Sequence, residues 1–263
     1  MKRRSANLLS AVAIFGALLL LWMAAIRVFG IPWFLLPSPA QVAAAAAQRF
    51  PMLLTSLGIT AAAAAGGLMA SVLIGVLIAL VFAQWHWVRR MLYPYTILLQ
   101  TVPIIGIAPL ILMWAGNSTF SVGLIAFIIC LSPIIANTTQ GLISVDRNLV
   151  DLFVMNKASR MQILLKLRLP NALPSLFTGI RISSGLAVIG AITGELFAGS
   201  ARVGVGGIGY AIQYARSQLE TDYLFALVAA ATVLGFAFFF AVMFVEWLFL
   251  HKWHESARAP EAE

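Results

Sequence analysis

The residues of this chain best suited to contact a partner lie in one polar segment, residues 146–174, DRNLVDLFVMNKASRMQILLKLRLPNALP, which holds seven of the 26 charged residues. Its charged side chains are Asp146, Arg147, Asp151, Lys157, Arg160, Lys166 and Arg168. Apolar residues recur between them near helical spacing, and Ala158–Arg160 interrupts this pattern. The segment is therefore predicted to form two short amphipathic helices with a bend, which either lie on a membrane surface or bind a partner protein.

The residues needed for other kinds of chemistry are missing from the sequence. There is no G-x4-G-K-[ST] frame, so this polypeptide alone is not expected to hydrolyse ATP. Histidine, cysteine and carboxylate residues do not occur at metal-ligand spacing, and the single cysteine, Cys130, excludes an internal disulfide. We expect no catalytic residue, no metal and no cofactor, and we expect Cys130 to be a small core residue.

Composition indicates what kind of scaffold must position the polar segment. Of the 263 residues, 62% are hydrophobic and only 10% are charged, whereas soluble domains carry about 25% charged residues. The chain is therefore expected to lie in a lipid bilayer. The net charge of +8 does not indicate nucleic-acid binding, because the basic residues are spread between apolar stretches instead of forming one face.

Six apolar segments approach or exceed the roughly twenty residues that cross a bilayer. They are 8–29, 54–84, 92–114, 119–143, 172–198 and 223–250. The predicted fold class is an all-α polytopic membrane protein with about six transmembrane helices.

The first segment is longer than the apolar part of a signal peptide and no clear cleavage site follows, so we expect an uncleaved span. After it, Ser38 and Pro39 are suited to begin a short interfacial helix outside the membrane.

Orientation follows from the distribution of Lys and Arg, which are enriched on the cytoplasmic side of membrane proteins. With the N-terminus inside, twelve basic residues fall in cytoplasmic segments and four on the outer side, Arg27, Arg49, Arg202 and Arg216. This count predicts cytoplasmic termini and a cytoplasmic polar segment. Residues 256–263 are small and polar, and residues 251–263 are expected to form a disordered cytoplasmic tail.

Proline and polar residues inside the spans indicate a solute pathway. Pro103 and Pro109 remove hydrogen bonds from the third span, and the freed carbonyl groups require protein or water as partners. Pro133, Asn137 and Thr138 form a similar group in the fourth span. Pro103, Pro109, Asn137 and Thr138, together with Glu195 of the fifth span, are predicted to line a cavity or gate, the alternative being a structural kink.

The fifth span carries two charged residues. Arg181 is expected to reach toward the inner surface. Glu195 lies about 21 Å further along the helix, too far to pair with Arg181. Two interpretations of Glu195 stay open: a solvated residue at the outer edge, or a role in packing or gating.

The polar segment resembles the signature loop of importer-type ABC transporter permeases, E-A-A-x3-G-x9-I-x-L-P. The matching positions are Asp151, Leu152 and Phe153, then Lys157, then Leu167, Leu169 and Pro170. The spacing and the closing Leu-Pro agree, while Asp replaces Glu, Leu-Phe replaces Ala-Ala and Lys replaces Gly. In that family the loop is a coupling helix held in a cleft of the ATPase subunit, which implies that role for these residues together with Met155 and Arg160.

Further motifs resemble the branch of that family that imports nitrate, sulfonates, taurine, pyrimidine vitamin precursors and riboflavin. They occur in the family's order and cover nearly the whole chain: Pro37–Pro39, Pro103 to Gly116, Pro133 to Gly141, Leu173 to Arg181, Gly194-Glu195 and Gly207-Ile208-Gly209. The resemblance implies residues 1–52 as a first span with an external helix, residues 53–250 as the type-1 permease core, and residues 146–171 as the coupling loop. It also implies two ATPase subunits, a second permease copy and an extracytoplasmic solute-binding protein, in the cell membrane of a prokaryote.

Two other functions are open to a chain of this composition. A secondary transporter driven by an ion gradient would carry ionisable groups near the membrane midplane, and a membrane-embedded enzyme would need a nucleophile and base deep in the bundle. The inner halves of the first four spans carry no charge, which disfavours the transporter, and Ser, His and Asp residues are not arranged as the enzyme would require. The same absence of cations favours a neutral or aromatic organic solute over a small inorganic anion.

Overall fold

The computed structural model describes residues 2–116, 119–198 and 206–251, with the backbone alone for residues 2–9, 11 and 12. Every regular element in these ranges is a helix. The helices are α1 Lys2–Phe29, α2 Pro39–Gln48, α3 Phe50–Gln84, α4 His86–Thr101, α5 Ile104–Ala115, α6 Thr119–Ile143, α7 Arg147–Met155, α8 Arg160–Ile163, α9 Leu169–Ala198, α10 Ile208–Ser217 and α11 Thr221–Leu250, with a π-helical turn Leu164–Arg168 before α9.

The predicted all-α membrane fold is confirmed. Among the described residues, α3, α6, α11 and the continuous stretch Arg160–Ala198 are each long and apolar enough to cross a bilayer. Helices α4 and α5 are long and apolar enough only when taken together, and α1 contains a shorter apolar stretch, Ala13–Phe29. These helices are consistent with six spans. Of the predicted disordered tail, only His251 lies within the described residues.

Two predicted boundaries are wrong. The third span begins at His86 and not at residue 92, and the fifth is continuous with the polar segment through Pro170 and Pro174. The π-helical turn immediately before Pro170 takes up the irregularity that a missing N–H group imposes, so the helix continues past both prolines.

Helices α3, α6 and α9 form the centre of the bundle, where small residues bring their backbones together. A Cβ atom at Gly67 of α3 would lie 2.5 Å from the Gly123 carbonyl oxygen, and one at Gly190 of α9 would lie 2.9 Å from the Ala126 Cα. The Ser183 hydroxyl of α9 also donates a hydrogen bond to the Cys130 carbonyl at 3.1 Å. Close packing with polar contacts of this kind holds helices together where lipid removes the hydrophobic drive between them.

Two short helices, α2 and α10, lie between spans at one end of the bundle. Helix α2 begins as predicted, with Ser38 as N-cap: the Ser38 amide donates to the Gln41 Oε1 at 2.8 Å. At its other end Arg49 donates to the Glu220 carboxylate at 2.6 Å, and its guanidinium lies 4.8 Å from the centre of the Tyr223 ring. This contact ties the α2–α3 junction to the start of α11.

Candidate coupling loop and translocation path

The first helix of the polar segment leaves its apolar residues uncovered. Helix α7 is capped by Asp146, whose carboxylate accepts a hydrogen bond from the Asn148 amide at 2.9 Å, and none of its residues is buried. Leu152 is 52% exposed and Met155 81% exposed, whereas Phe153 is half-buried. An unpaired apolar surface on a polar loop is what a docking helix requires.

Lys157 ends α7 in the left-handed backbone conformation, with φ of 56°. Its amide donates to the Val154 carbonyl at 2.9 Å, and the Ala158 amide donates to the Phe153 carbonyl at 3.0 Å. These two bonds define a Schellman motif, in which the residue at the position of Lys157 is most often glycine. The bend predicted between the two helices is confirmed, and it has the geometry for which the resembling family uses glycine at this position.

The second half of the polar segment is attached to the membrane bundle. Helix α8 begins at the Ser159 N-cap, whose amide donates to the Gln162 Oε1 at 2.7 Å. Ile163 and Leu164 are buried, and Arg168 donates to the Ala83 carbonyl at the end of α3 at 2.8 Å. The segment is thus anchored by its C-terminal half and exposed by its N-terminal half.

The nine sequence-predicted coupling residues are divided between these two environments. Those on the exposed side are Asp151, Leu152, Met155, Lys157 and Arg160, and those that are half-buried are Phe153, Leu167, Leu169 and Pro170. A partner protein can reach the five exposed residues without moving the bundle. Most of the four half-buried residues instead attach the loop to the bundle.

The third span is broken where the prolines predict a break, but only at one of them. Val102 is extended with ψ of 122° and Pro103 follows as the N-cap of α5, so α4 and α5 meet at 97°. The residue before a proline disfavours the helical conformation, which explains the break at Val102. Pro109 lies within α5 without interrupting it.

A cavity of about 540 Å³ lies beside this break. It is lined by residues from α4, α5, α6 and α9: Leu99, Gln100, Val102, Ile104, Ile107, Ile128, Ile129, Pro133, Ala136, Asn137, Ile182 and Leu186. The lining is apolar apart from the amide groups of Gln100 and Asn137, and no charged side chain contributes to it within the described ranges. Such a lining suits a solute with a flat apolar body and a few hydrogen-bonding groups.

The five predicted pathway residues are not gathered at one place. Asn137 lines the cavity and donates to the Pro133 carbonyl at 2.8 Å. Pro103 lies between two lining residues but is itself exposed on the span, as is Pro109. Thr138 is 1% exposed and packs in the bundle. Glu195 lies nine residues, about 14 Å, beyond the nearest lining residue of α9.

Glu195 is 5% exposed, so the interpretation as a solvated outer-edge residue is wrong. Its carboxylate accepts hydrogen bonds from the Thr60 hydroxyl at 2.8 Å and from the Gly209 amide at 2.9 Å. The Thr60 oxygen in turn accepts from the Ile208 amide at 2.8 Å. Glu195 and Thr60 together satisfy the first two N–H groups of α10, which a helix start otherwise leaves without partners.

Glycine is required at the start of α10 because the backbone of α9 and the Glu195 carboxylate approach so closely. A Cβ atom at Gly209 would lie 2.3 Å from the Ile192 carbonyl oxygen, and one at Gly207 would lie 1.9 Å from Glu195 Oε1. The motif Gly194-Glu195 followed by Gly207-Ile208-Gly209 therefore describes one contact. Sequence reasoning missed Thr60 in this contact, because a threonine in an apolar helix carries no distinguishing pattern.

Arg181 of α9 has a charged partner on another helix. It forms an ion pair with Glu246 of α11, a residue that sequence reasoning passed over. A single carboxylate within an apolar span is a signal for a buried partner. The pair connects α9 to α11, and the predicted separation of Arg181 from Glu195 is confirmed.

In the membrane, irregular backbone is tolerated only where it faces protein or water. A broken span beside a cavity is therefore typical of a polytopic solute permease. Residues 71–251 match the family described as binding-protein-dependent transport system inner membrane component, and the chain belongs to this family. The formylaminopyrimidine transport permease protein of Halalkalibacterium halodurans is 33% identical over 93% of this chain and 96% of its own length.

Other relatives carry names of different solutes. The riboflavin transport system permease protein of Chloroflexus aurantiacus is 33% identical over 91% of this chain and 88% of its own length. The taurine transport system permease protein of Escherichia coli is 30% identical over 64% of this chain and 60% of its own length. The chain is thus a non-catalytic, multi-pass inner-membrane subunit of an ABC importer for small solutes, and the family resemblance is confirmed. The ion-gradient-driven and enzymatic alternatives are not supported.

Proposed function

We propose that two copies of this chain, or one copy and a close paralogue, form the membrane pathway of an importer powered by two ATPase subunits. An extracytoplasmic binding protein delivers the solute, and both termini face the cytoplasm. The count of basic residues, twelve against four, supports this orientation. The family membership of residues 71–251 supports the set of partners.

In this proposal the exposed side of α7 enters the ATPase subunit. Leu152 and Met155 supply apolar contact, Lys157 and Arg160 supply charge, and Asp151 lies beside them on the exposed side. The observation in favour is that this helix has no buried residue although six of its nine residues are apolar. The attachment through Arg168 and Ile163 then transmits movement of the ATPase to α9.

The cavity beside the broken span is proposed as part of the translocation path, with Pro103, Pro109, Asn137, Thr138 and Glu195 as cavity, packing or gate positions. The solute is proposed to be a neutral heteroaromatic molecule of the pyrimidine or flavin kind. The observation that carries this proposal is the lining itself, which combines aliphatic side chains with the amides of Gln100 and Asn137. Two relatives that match over most of their length are named for such solutes, whereas the taurine permease matches over 60% of its length.

The test is uptake by proteoliposomes that contain the permease, its ATPase subunits and the cognate binding protein. With ATP inside, a labelled pyrimidine precursor or flavin should accumulate, and taurine or nitrate should not. Calorimetry of the binding protein with the same solutes provides an independent readout. Capture of sulfonate or nitrate without capture of a heteroaromatic solute would overturn the solute class, and uptake without ATP would overturn the proposed energy source.

A further inference from the structure

The ends of α3, α4, α6 and α8 on the proposed cytoplasmic side enclose a pocket rich in arginine. Two adjoining cavities of about 360 and 570 Å³ share His86, Arg89 and Ile143 in their linings. Arg160 and Arg168 complete the lining of the smaller cavity, and Arg90 and Tyr93 contribute to the larger one. We call this region the basic pocket.

The positive charge of the basic pocket is not neutralised by the described part of the chain. Neither cavity is lined by an aspartate or glutamate. The ion pairs found among the described residues, Arg49 with Glu220 and Arg181 with Glu246, lie elsewhere. Arginines gathered around a concave site without carboxylate partners are suited to bind an anion, since each guanidinium can hold two oxygen atoms of a phosphate.

The backbone adds to this positive potential. Helix α4 has sixteen residues and begins at the pocket with Trp85 as N-cap, and no side chain accepts a hydrogen bond from its first amide groups. Free N–H groups at the start of a helix attract phosphate. The side chains of Arg89 and Arg90 extend from the first turns of the same helix, so donors of two kinds converge on one place.

Aromatic residues show how deep the basic pocket lies in the membrane. Trp85 is 49% exposed and Trp87 is 64% exposed, and they flank His86 at the junction of two spans. Exposed tryptophans at span ends occupy the headgroup region of a bilayer. The pocket is therefore at the level of lipid phosphates, and it lies apart from the apolar face of α7.

We propose that the basic pocket binds the phosphate-bearing head group of an anionic phospholipid from the inner leaflet. This inference rests on the cytoplasmic orientation given under the proposed function. Basic pockets between spans on the cytoplasmic side recognise such head groups, and each arginine near an anionic leaflet adds attraction. The lipid fills the space between α4 and α8, so it holds the attached half of the coupling loop against the bundle.

The test is native mass spectrometry of the full-length chain, alone and with its ATPase subunits, from micelles that contain equal amounts of phosphatidylcholine and phosphatidylglycerol. The wild type should retain phosphatidylglycerol in preference. Arg89→Gln and, separately, Arg90→Gln should lower that preference about fivefold, the effect of one charge near an anionic surface. Arg89→Lys should retain most of it. Arg147→Gln is the matched control, because Arg147 is exposed at the start of α7 and does not line the pocket.

Three outcomes would overturn the proposal. Equal losses in Arg89→Gln and Arg147→Gln would show a general surface attraction. Displacement of phosphatidylglycerol by inorganic phosphate would identify a site for a free anion. Loss of lipid whenever the ATPase subunits are present, together with release of those subunits by Arg89→Gln, would assign the pocket to a protein partner. ATP-dependent uptake measured on the same preparations keeps a failure of this proposal distinct from a failure of the proposed transport function.

Discussion

Lys157 shows how a single backbone conformation accounts for a family motif. A left-handed conformation costs an ordinary L-residue roughly 1 kcal/mol, and glycine adopts it without that cost. Leu219 at the end of α10 has the same conformation, with φ of 59°, and its neighbour Glu220 donates to the Ala215 carbonyl at 3.0 Å. The chain therefore carries two strained helix ends, one on each proposed side of the membrane.

Lys157→Gly should stabilise the turn after α7 by about 1 kcal/mol, because it removes the left-handed strain. The readout is hydrogen exchange at the Ala158 amide, which should slow, together with a higher unfolding temperature. Lys157→Val should have the opposite effect, and Leu219→Gly is the matched substitution at the other strained helix end. Faster exchange in Lys157→Gly would contradict this assignment.

Glu195 of α9 is buried. Its carboxylate accepts a hydrogen bond from the Gly209 amide at the start of α10. Glu195→Ala should leave the Gly209 amide without an acceptor, at a cost of about 1–3 kcal/mol, and Glu195→Gln should cost less because it keeps one oxygen. Hydrogen exchange at Ile208 and Gly209 should quicken in the order wild type, Gln, Ala. Thr60→Val should have the same effect as Glu195→Ala, since it removes the hydroxyl that hydrogen-bonds both the Ile208 amide and the Glu195 carboxylate. Unchanged exchange in Thr60→Val would contradict the shared contact.

At the scale of elements, the α2–α3 junction is held to α11 by one ion pair. The hydrogen bond from Arg49 lowers the pKa of the Glu220 carboxyl below its ordinary value of 4.5. A carboxyl with a lowered pKa in the folded state stabilises that state fully above its ordinary pKa, and this contribution is lost as the pH falls through the folded-state value. The pair is about one third exposed, so the effect is about 1 kcal/mol or less.

The corresponding prediction concerns pH and stability. In detergent, the unfolding temperature of the wild type should fall more steeply below pH 4.5 than that of Glu220→Gln, which has no proton to gain. At neutral pH the wild type should be more stable than Glu220→Gln. In acid the wild type should lose this advantage. Parallel pH profiles would show that this pair contributes nothing measurable.

The broken third span is the element on which the proposed pathway depends. Single cysteines at Val102, Ile107 and Asn137 in a Cys130→Ala background should react with water-soluble thiol reagents in at least one state of the transport cycle, because all three line the cavity. A cysteine at Ser183, which is buried in the centre of the bundle, is the control and should stay protected. Protection of all three cavity positions in every state would reduce the break to a packing feature.

At the scale of the whole molecule, apolar residues are exposed on two surfaces for different reasons. Along α11, residues such as Phe240 and Phe244 are 59% and 60% exposed, as a lipid-facing helix requires. Helix α7 exposes Met155 outside the long spans, where the proposed ATPase contact would bury it.

Met155→Asp should weaken ATPase assembly, because burial of such a side chain is worth about 2 kcal/mol and a charge would be desolvated at the contact. Co-purification of the ATPase subunits should fall by more than tenfold, while membrane insertion and the unfolding temperature of the permease stay unchanged. Met155→Leu, which keeps an apolar side chain, should assemble normally. Normal assembly and coupled ATP hydrolysis in Met155→Asp would contradict the docking face. Phe153 is less suited to this test since it is half-buried within the chain itself.

The sequence by itself determined the features that depend on short stretches of chain. Long apolar runs predict the spans, Ser38 before Pro39 predicts the start of α2, and the small residues at 158–160 predict the bend after α7, because propensity and capping act within a few residues. The family motifs likewise identify the permease core. Such local rules placed the break at two prolines, although Ala108 before Pro109 stays helical in the packed bundle.

Only the tertiary structure decided which distant residues meet. Glu195 and Thr60 lie 135 positions apart, and Arg181 and Glu246 lie 65 apart, and no periodic pattern encodes either pair. Burial without a partner is costly for a charged group, so each carboxylate requires a neighbour, but which neighbour depends on how α3, α9 and α11 pack. The basic pocket likewise arises because α4 and α8, more than fifty residues apart, meet at one end of the bundle.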